Sequence, residues 1–252
     1  MMFTEREEKI LKILQSTPSI SVKALTKALY TSEATVRRDL TKLESKGLII
    51  RAHGKAINAE LYADKNQGFA LRENTASPVK KKLAEKAVSL CVNDGNVILL
   101  DASSTVLHLI EPLKEKKDII VITSGLKTAV SLSNTNIKFY STGGQAINGS
   151  SSFVGQTAID TLKHFKADVS FVSCHGLSED GYPTDTSERE NDVRYTIIKQ
   201  SKRKVLLLDS SKINKNYWHI LCHISEFDDV FCNEPLPEHI QKQVKNFHLV
   251  SI

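Results

Sequence analysis

Apolar residues recur along this chain with two different periods, and the change of period divides it. Between Thr4 and Gln15, Ile10, Leu11 and Leu14 form a stripe at helical spacing, and Thr4 and Glu7 stand at the spacing of a capping box. Pro18 interrupts the pattern. A second helix is predicted after Ser21, with Val22, Leu25 and Leu29 on one face, and Tyr30-Thr31 as the turn that follows. Ser32 is a good N-cap for a third helix, in which Val36, Leu40 and Leu43 fall at i, i+4 and i+7 before Gly47 ends it. Leu48–Arg51 and Ala56-Ile57 then predict two short strands around the tip His53-Gly54-Lys55. Residues 58–78 are mixed and polar without a clear period, which reads as a connector. Beyond Pro78 short β-rich apolar runs alternate with helical stripes. Strands are predicted at Val97–Asp101, Ile119–Thr123, Ile137–Tyr140, Val169–Ser173, Val205–Asp209, Val230–Cys232 and His248–Ile252. Helices are predicted at Lys80–Cys91 and near 104–115, 125–133, 153–164, 187–200 and 236–244.

Helix, helix, turn, helix and hairpin, in that order, predict a winged helix-turn-helix over residues 1–57. The alternation over residues 79–252 predicts a larger α/β domain of open, doubly wound type, its sheet mostly parallel and covered on both faces. The expected architecture is therefore a small head, a connector over 58–78 and an α/β body.

Charge sharpens this division. Residues 1–57 hold eleven Lys and Arg against six Asp and Glu, which accounts for the whole formal net charge of +5, so the body is balanced. A basic head on a neutral body suits a polyanion as partner. The chain has no apolar run near the ~20 residues that span a bilayer. Its N-terminus is charged where a signal peptide would be apolar, and a cytoplasmic location without membrane contact is expected. The four cysteines, Cys91, Cys174, Cys222 and Cys232, lack CxxC spacing and are expected as buried thiols. His219, Cys222 and His223 lie close together, but no second ligand pair accompanies them, and no metal is expected.

The candidate chemistry of the body lies where its strands end. Five successive runs finish in Asp101-Ala-Ser-Ser-Thr105, Thr123-Ser-Gly125, Ser141-Thr-Gly-Gly144, Ser173-Cys-His-Gly176 and Asp209-Ser-Ser-Lys212. Any one of these is explained by the polar turn every strand needs. Five together point to a pocket, because open α/β sheets bind ligands outside the carboxyl ends of their strands. Ser and Thr hydroxyls suit phosphate, Lys212 supplies positive charge, Asp101 can accept sugar hydroxyls, and Gly143-Gly144 lets backbone approach a ligand. No complete GxGxxG or GxxxxGK[ST] is present, and no cofactor is expected.

In the head, the inward apolar stripe of the third helix turns Glu33, Thr35, Arg37 and Arg38 outward. With Ser32 at its N-terminus, this helix has the layout of a recognition helix for the major groove. Arg51, His53 and Lys55 would meet the DNA backbone or minor groove. The run from Ser32 to Ala56 resembles the head of the DeoR family of bacterial regulators, whose pattern is S-E-x-T-[IV]-R-R-D-L-x-x-L-E-x-x-G followed by a wing R-x-H-G-G-A. Tyr30-Thr31 stands for the usual Gly-Val, and Lys55 for the second wing glycine. The resemblance continues in the body. D-x-G-T-T is matched by Asp101-Ala-Ser103-Ser104-Thr105, T-N-S by Thr123-Ser124-Gly125, and the G-G pair by Gly143-Gly144. E-A-x-V-K is matched by Glu190-Asn-Asp-Val-Arg194 and D-x-S-K by Asp209-Ser-Ser-Lys212. Ser103, Ser124 and Arg194 depart from the pattern. The resemblance implies a fold like ribose-5-phosphate isomerase and a sensor for a sugar phosphate, with phosphate near Ser103–Thr105 and Lys212 as its partner. It also implies double-stranded operator DNA as a second partner, a homo-oligomer, and repression of a sugar-metabolism operon. A cofactor-free sugar-phosphate isomerase with an accessory head is the alternative, with Asp101, Glu190 and Lys212 as the acid–base candidates.

Overall fold

The structure is a computed structural model that describes residues 4–17, 19–45, 48–52, 55–58, 69–147 and 149–251. The chain divides into two compact units, Met1–Gln67 and Gly68–Ile252.

In the first unit, α1 (Glu5–Ser16) opens on the expected capping box: the Thr4 hydroxyl accepts from Glu7 N and the Glu7 carboxylate accepts from Thr4 N. A short strand that the apolar pattern does not announce, β1 (Ser19–Ser21), precedes α2 (Val22–Ala28), which is capped by Ser21. Next come α3 (Glu33–Ser45), β2 (Ile49–Ala52) and β3 (Lys55–Asn58), and the strands pair antiparallel in the order β1-β3-β2. Ile10, Leu14, Val22, Leu25, Val36, Leu40, Leu43, Ile49 and Ala56 form one buried cluster. Two of the expected stripes, those of α2 and α3, meet α1 there. Arg6 grips the buried Asp39 with two hydrogen bonds of 2.5 and 3.1 Å, which fixes α3 against α1. The expected helix end at Gly47 lies outside the described residues.

The second unit begins with α4 (Phe69–Asn74) and α5 (Ser77–Cys91). The connector expected over 58–78 is thus helical in its second half, because Phe69 is buried in the body's core; residues 59–68 lie outside the described residues. Then follow β4 (Val97–Leu100), α6 (Ser104–Leu107), α7 (Ile110–Leu113), β5 (Ile120–Thr123), α8 (Leu126–Leu132) and β6 (Lys138–Ser141). The hairpin β7 (Gln145–Ile147) and β8 (Ser152–Val154) leads into α9 (Gln156–Lys163) and β9 (Ala167–Val172). After them come β10 (Gly176–Leu177), β11 (Pro183–Asp185), α10 (Glu188–Lys199), β12 (Ser201–Leu208), β13 (His219–Ile220), β14 (Asp229–Cys232), α11 (Glu238–Gln241) and β15 (Asn246–Leu249).

Seven strands pair in parallel in the order β15-β14-β12-β9-β4-β5-β6, as the seven apolar runs predict. One core cluster lies on each face of this sheet, so the doubly wound reading holds. The chain leaves β4 outward to β6 and then returns to β9 on the other side of β4. The strand order therefore reverses between β4 and β9, the place where such sheets open a crevice at their carboxyl ends. Two expectations are corrected and one small sheet is added. The helix near 104–115 is two short ones, α6 and α7, with Pro112 inside the second. The helix expected from 153 begins at Gln156, because Ser152–Val154 pairs with Gln145–Ile147. The small antiparallel sheet β10-β11-β13 is built from strands of two or three residues, too short to show a period.

Candidate functional site

The head presents its candidate residues from one helix. The Ser32 hydroxyl caps α3 by accepting from Thr35 N at 3.2 Å and sits 2.9 Å from the Thr35 hydroxyl. Arg37 and Arg38 are exposed, Arg38 opposite the buried Val36 and Leu40 and Arg37 beside them. Glu33 forms a 3.5 Å ion pair with Arg37 one turn on, so it orients an arginine as well as offering its own oxygens. Arg51 and Lys55 fall on the paired strands β2 and β3. Their side chains, and all of His53, lie outside the described residues. Tyr30, in the turn between α2 and α3, has a left-handed backbone with φ of 50° and a side chain 97% exposed.

In the body, the end of β4 and the end of β9 meet around Asp101. This carboxylate is fully buried and accepts from Ser103 N at 2.8 Å, Ser173 N at 3.1 Å and Arg194 Nε at 3.0 Å. Its oxygens hold the loop after β4 in shape. The expected role of Asp101 as acceptor for sugar hydroxyls is corrected accordingly: its lone pairs serve the protein. Arg194, on α10, also donates to Asp185 at 2.7 Å and to the Asn191 side chain at 2.9 Å, and Asp185 pairs with His175 Nδ1 at 2.7 Å. Burial opposes the charge on Asp185, yet Arg194 and His175 hold its carboxyl well below the usual carboxylate range. Burial likewise opposes the charge on Arg194, and Asp185 and Asp101 outweigh it and raise its pKa.

Ser124 and Glu190 line a recess beside Arg194, together with Ala102, Ser152, Phe153, Val154 and Val193. It offers about 10 Å³, room for one water at most. Thr123 spends its hydroxyl on Gly125 N at 2.9 Å. Gly144 has φ of 104°, and a Cβ there would stand 2.7 Å from the Val154 carbonyl oxygen. Its smallness thus serves the packing of the β8–α9 junction, while Gly143 borders open space.

A second polar group lies around the next residues of the β4 loop. Lys212 Nζ donates to the Ser173 hydroxyl at 2.7 Å and the Thr105 hydroxyl at 3.2 Å, and stands 3.5 Å from Asp209. Lys80 Nζ donates to the Ser104 hydroxyl at 3.2 Å and to the Arg72 carbonyl. Ser103, in contrast, is spent on capping α6 through Val106 N. Two ammonium groups thus converge on neighbouring hydroxyls, with Asp209 as the carboxylate at hand. Burial and the repulsion of Lys212 pull the Lys80 pKa down to about 8. A buried excess of positive charge is costly alone and is relieved by an anion.

Of the residues singled out in the sequence, the structure brings together Ser104, Thr105 and Lys212, and separately Asp101, Ser124 and Glu190. Ser173 and His175, named in the sequence only as part of a polar strand end, complete these groups together with Lys80 and Asp185, which were not singled out. Lys80 had a signal: it lies at the i−3, i−4 and i−7 positions of the stripe Leu83, Ala84, Ala87, so a lysine occupies the buried face of α5.

Residues 6–60 match the description "DeoR-like helix-turn-helix domain" and residues 75–234 match "DeoR C terminal sensor domain". Among curated relatives, the uncharacterized HTH-type transcriptional regulator YulB of Bacillus subtilis is 34% identical over 87% of this chain and 85% of its own length. The HTH-type transcriptional repressor GlcR of the same organism is 32% identical over 89% of this chain and 86% of its own. The L-fucose operon activator of Escherichia coli is 28% identical over 92% of this chain and 96% of its own.

Proposed function

Since the chain belongs to the DeoR family of DNA-binding transcriptional regulators, we propose that it represses a sugar-metabolism operon and that a phosphorylated sugar controls its hold on the operator. The observation that carries this reading is the convergence of Lys80 and Lys212 on the hydroxyls of Ser104, Thr105 and Ser173. Two ammonium groups over three hydroxyls suit a phosphate monoester, which brings about two negative charges and several acceptor oxygens. The sugar would extend towards Ser124, Glu190 and Arg194, where the present recess is nearly closed, so its entry requires those side chains to move. In the head, Ser32, Glu33, Thr35, Arg37 and Arg38 would read the major groove, with Arg51, His53 and Lys55 on the flanking backbone or minor groove.

Among curated relatives the name GlcR carries the word repressor and the fucose regulator is an activator, so the sign of control belongs to the test. A homo-oligomer suits the reading, because two-fold symmetry matches paired half-sites. Among the described residues no helix is long and apolar enough to cross a membrane, in keeping with work on DNA in the cytoplasm. The same site argues against an isomerase, since Asp101, one candidate base, is bound by three donors. Gel shifts with DNA upstream of the chain's own gene, repeated over pentose and hexose phosphates, test the whole reading. A retarded band relieved by one sugar phosphate, without turnover of that compound, is the expected result. Turnover, or a band indifferent to every phosphate, overturns it.

A further inference from the structure

Helix α4 is the first described element of the second unit, and the chain N-terminal to it leads to the head. Several contacts tie α4 to the body. Phe69 is buried and donates its N–H to the Gly149 carbonyl at 2.7 Å. Glu73 pairs with Lys127 at 2.8 Å, and the same ammonium lies 4.8 Å from the centre of the Phe69 ring. A further tie is the Arg72 carbonyl, which accepts from Lys80 Nζ. An ammonium has three donors. Arg72 and Ser104 take two of those on Lys80, and Ser104 adjoins Thr105, where Lys212 arrives from the other side. One buried ammonium thus touches both the rim of the anion site and the helix where the sensor unit begins.

We propose that Lys80 is shared between the effector's anionic group and helix α4, so that an anion over Ser104 and Thr105 clamps the Arg72 carbonyl and secures the point where the chain leaves the sensor unit for the head. The inference rests on the reading of that site as an anion site. Its physics is local. An anion between Lys80 and Lys212 offsets their repulsion, keeps Lys80 charged and engages its third donor. A charged donor bonds a carbonyl about twice as strongly as a neutral one. The coupling is reciprocal: the factor by which the anion favours seated α4 is the factor by which seated α4 favours the anion, so a change that unseats α4 weakens the anion.

Hydrogen exchange on the full chain with inorganic phosphate as the probe tests this, with thermal stabilisation as the measure of occupancy. At saturation, the amides of residues 70–76 slow by about fivefold or more, while those of α10 change little. Lys80→Met loses this protection even where higher phosphate still stabilises the chain through Lys212. Phe69→Ala changes no charge and none of the anion's proposed partners, yet weakens phosphate by about threefold or more, as reciprocity demands. Phosphate that stabilises the chain while exchange over 70–76 stays level or quickens overturns the clamp and leaves the anion site standing, as does protection that survives in Lys80→Met or an unchanged affinity in Phe69→Ala. Absence of any stabilisation up to about 100 mM phosphate removes the anion site itself, and the clamp falls with it.

Discussion

The head and the body handle charge in opposite ways. In the head the candidate contacts are exposed on one helix, Arg37 and Arg38 among them, and Arg6–Asp39 is a structural tie beside a plain apolar core. In the body the charges sit inside: Asp101, Asp185, Arg194, Lys80 and Asp209 are all buried. A surface that meets a solvated polyanion can carry its charges in water, where they cost the fold nothing. A pocket that must recognise a small anion needs charges held in fixed positions and shielded, which makes recognition and folding depend on the same residues. The head should therefore lose function without losing stability when Arg37 and Arg38 change, and the body should lose both when its buried charges change.

The sharpest way to break this contrast is Arg194→Met. It leaves Asp101 and Asp185 buried without their cation, and the expected loss is about 3–5 kcal/mol in the unfolding of the body. Acid should reveal the same pair. Asp185 has a folded pKa below its unfolded value, so its contribution is present above about pH 4 and is lost as pH falls from there towards the folded pKa. Denaturant titrations between about pH 2 and 6 should show that acid limb in the native chain and a flatter one in the variant. A variant as stable as the parent would mean that the network is decoration.

Arg37→Ala and Arg38→Ala probe the other side. Each should cost about 1–3 kcal/mol in operator affinity if it reads a base, with unfolding midpoints unchanged because neither packs against the core. Operator binding unaffected in both would remove α3 from its role. Lys212→Met comes next in size: sugar-phosphate relief should weaken about tenfold or more, roughly 1.4 kcal/mol, while gel shifts without effector stay as before. Loss of both responses together would make Lys212 a structural residue holding Thr105 and Ser173.

The same contrast explains what could be seen in the sequence. The five inner parallel strands were legible because strands buried on both faces are written as apolar runs, such as Val205–Leu208, while the edge strands Lys138–Ser141 and Asn246–Leu249 are largely exposed. The stripe Val36, Leu40, Leu43 fixed which faces of α3 turn outward, so the arginines followed. The body's site was legible only as a set of strand ends. Ser104, Thr105 and Lys212 lie within those ends, and five polar termini in a row pointed to them. Asp101 was misjudged because two of the three donors that claim its oxygens, Ser173 N and Arg194 Nε, are 72 and 93 positions away on other elements. Lys80 was passed over because its residue type reads as solvated although its spacing from Leu83, Ala84 and Ala87 sets it on the buried face of α5, and only the tertiary structure puts it against Ser104. Short pairings such as β10-β11-β13 depend on contacts of the same kind.

The smallest expected effect tests the head's freedom from such constraints. Tyr30 follows α2, with Thr31 N bonded back to the Thr26 carbonyl, and it occupies the left-handed conformation usual for glycine at that place. An L-residue pays about 1–2 kcal/mol there. A glycine avoids that strain but gains about 0.5–1 kcal/mol of freedom in the unfolded chain. With its side chain in water, Tyr30 has almost no burial to forfeit, so Tyr30→Gly should stabilise the head by roughly 0.5 kcal/mol. Denaturant unfolding followed by helix content would detect that rise. A fall would show that Tyr30 packs against something within the folded chain, and the picture of a head whose exposed residues are independent of its fold would no longer stand.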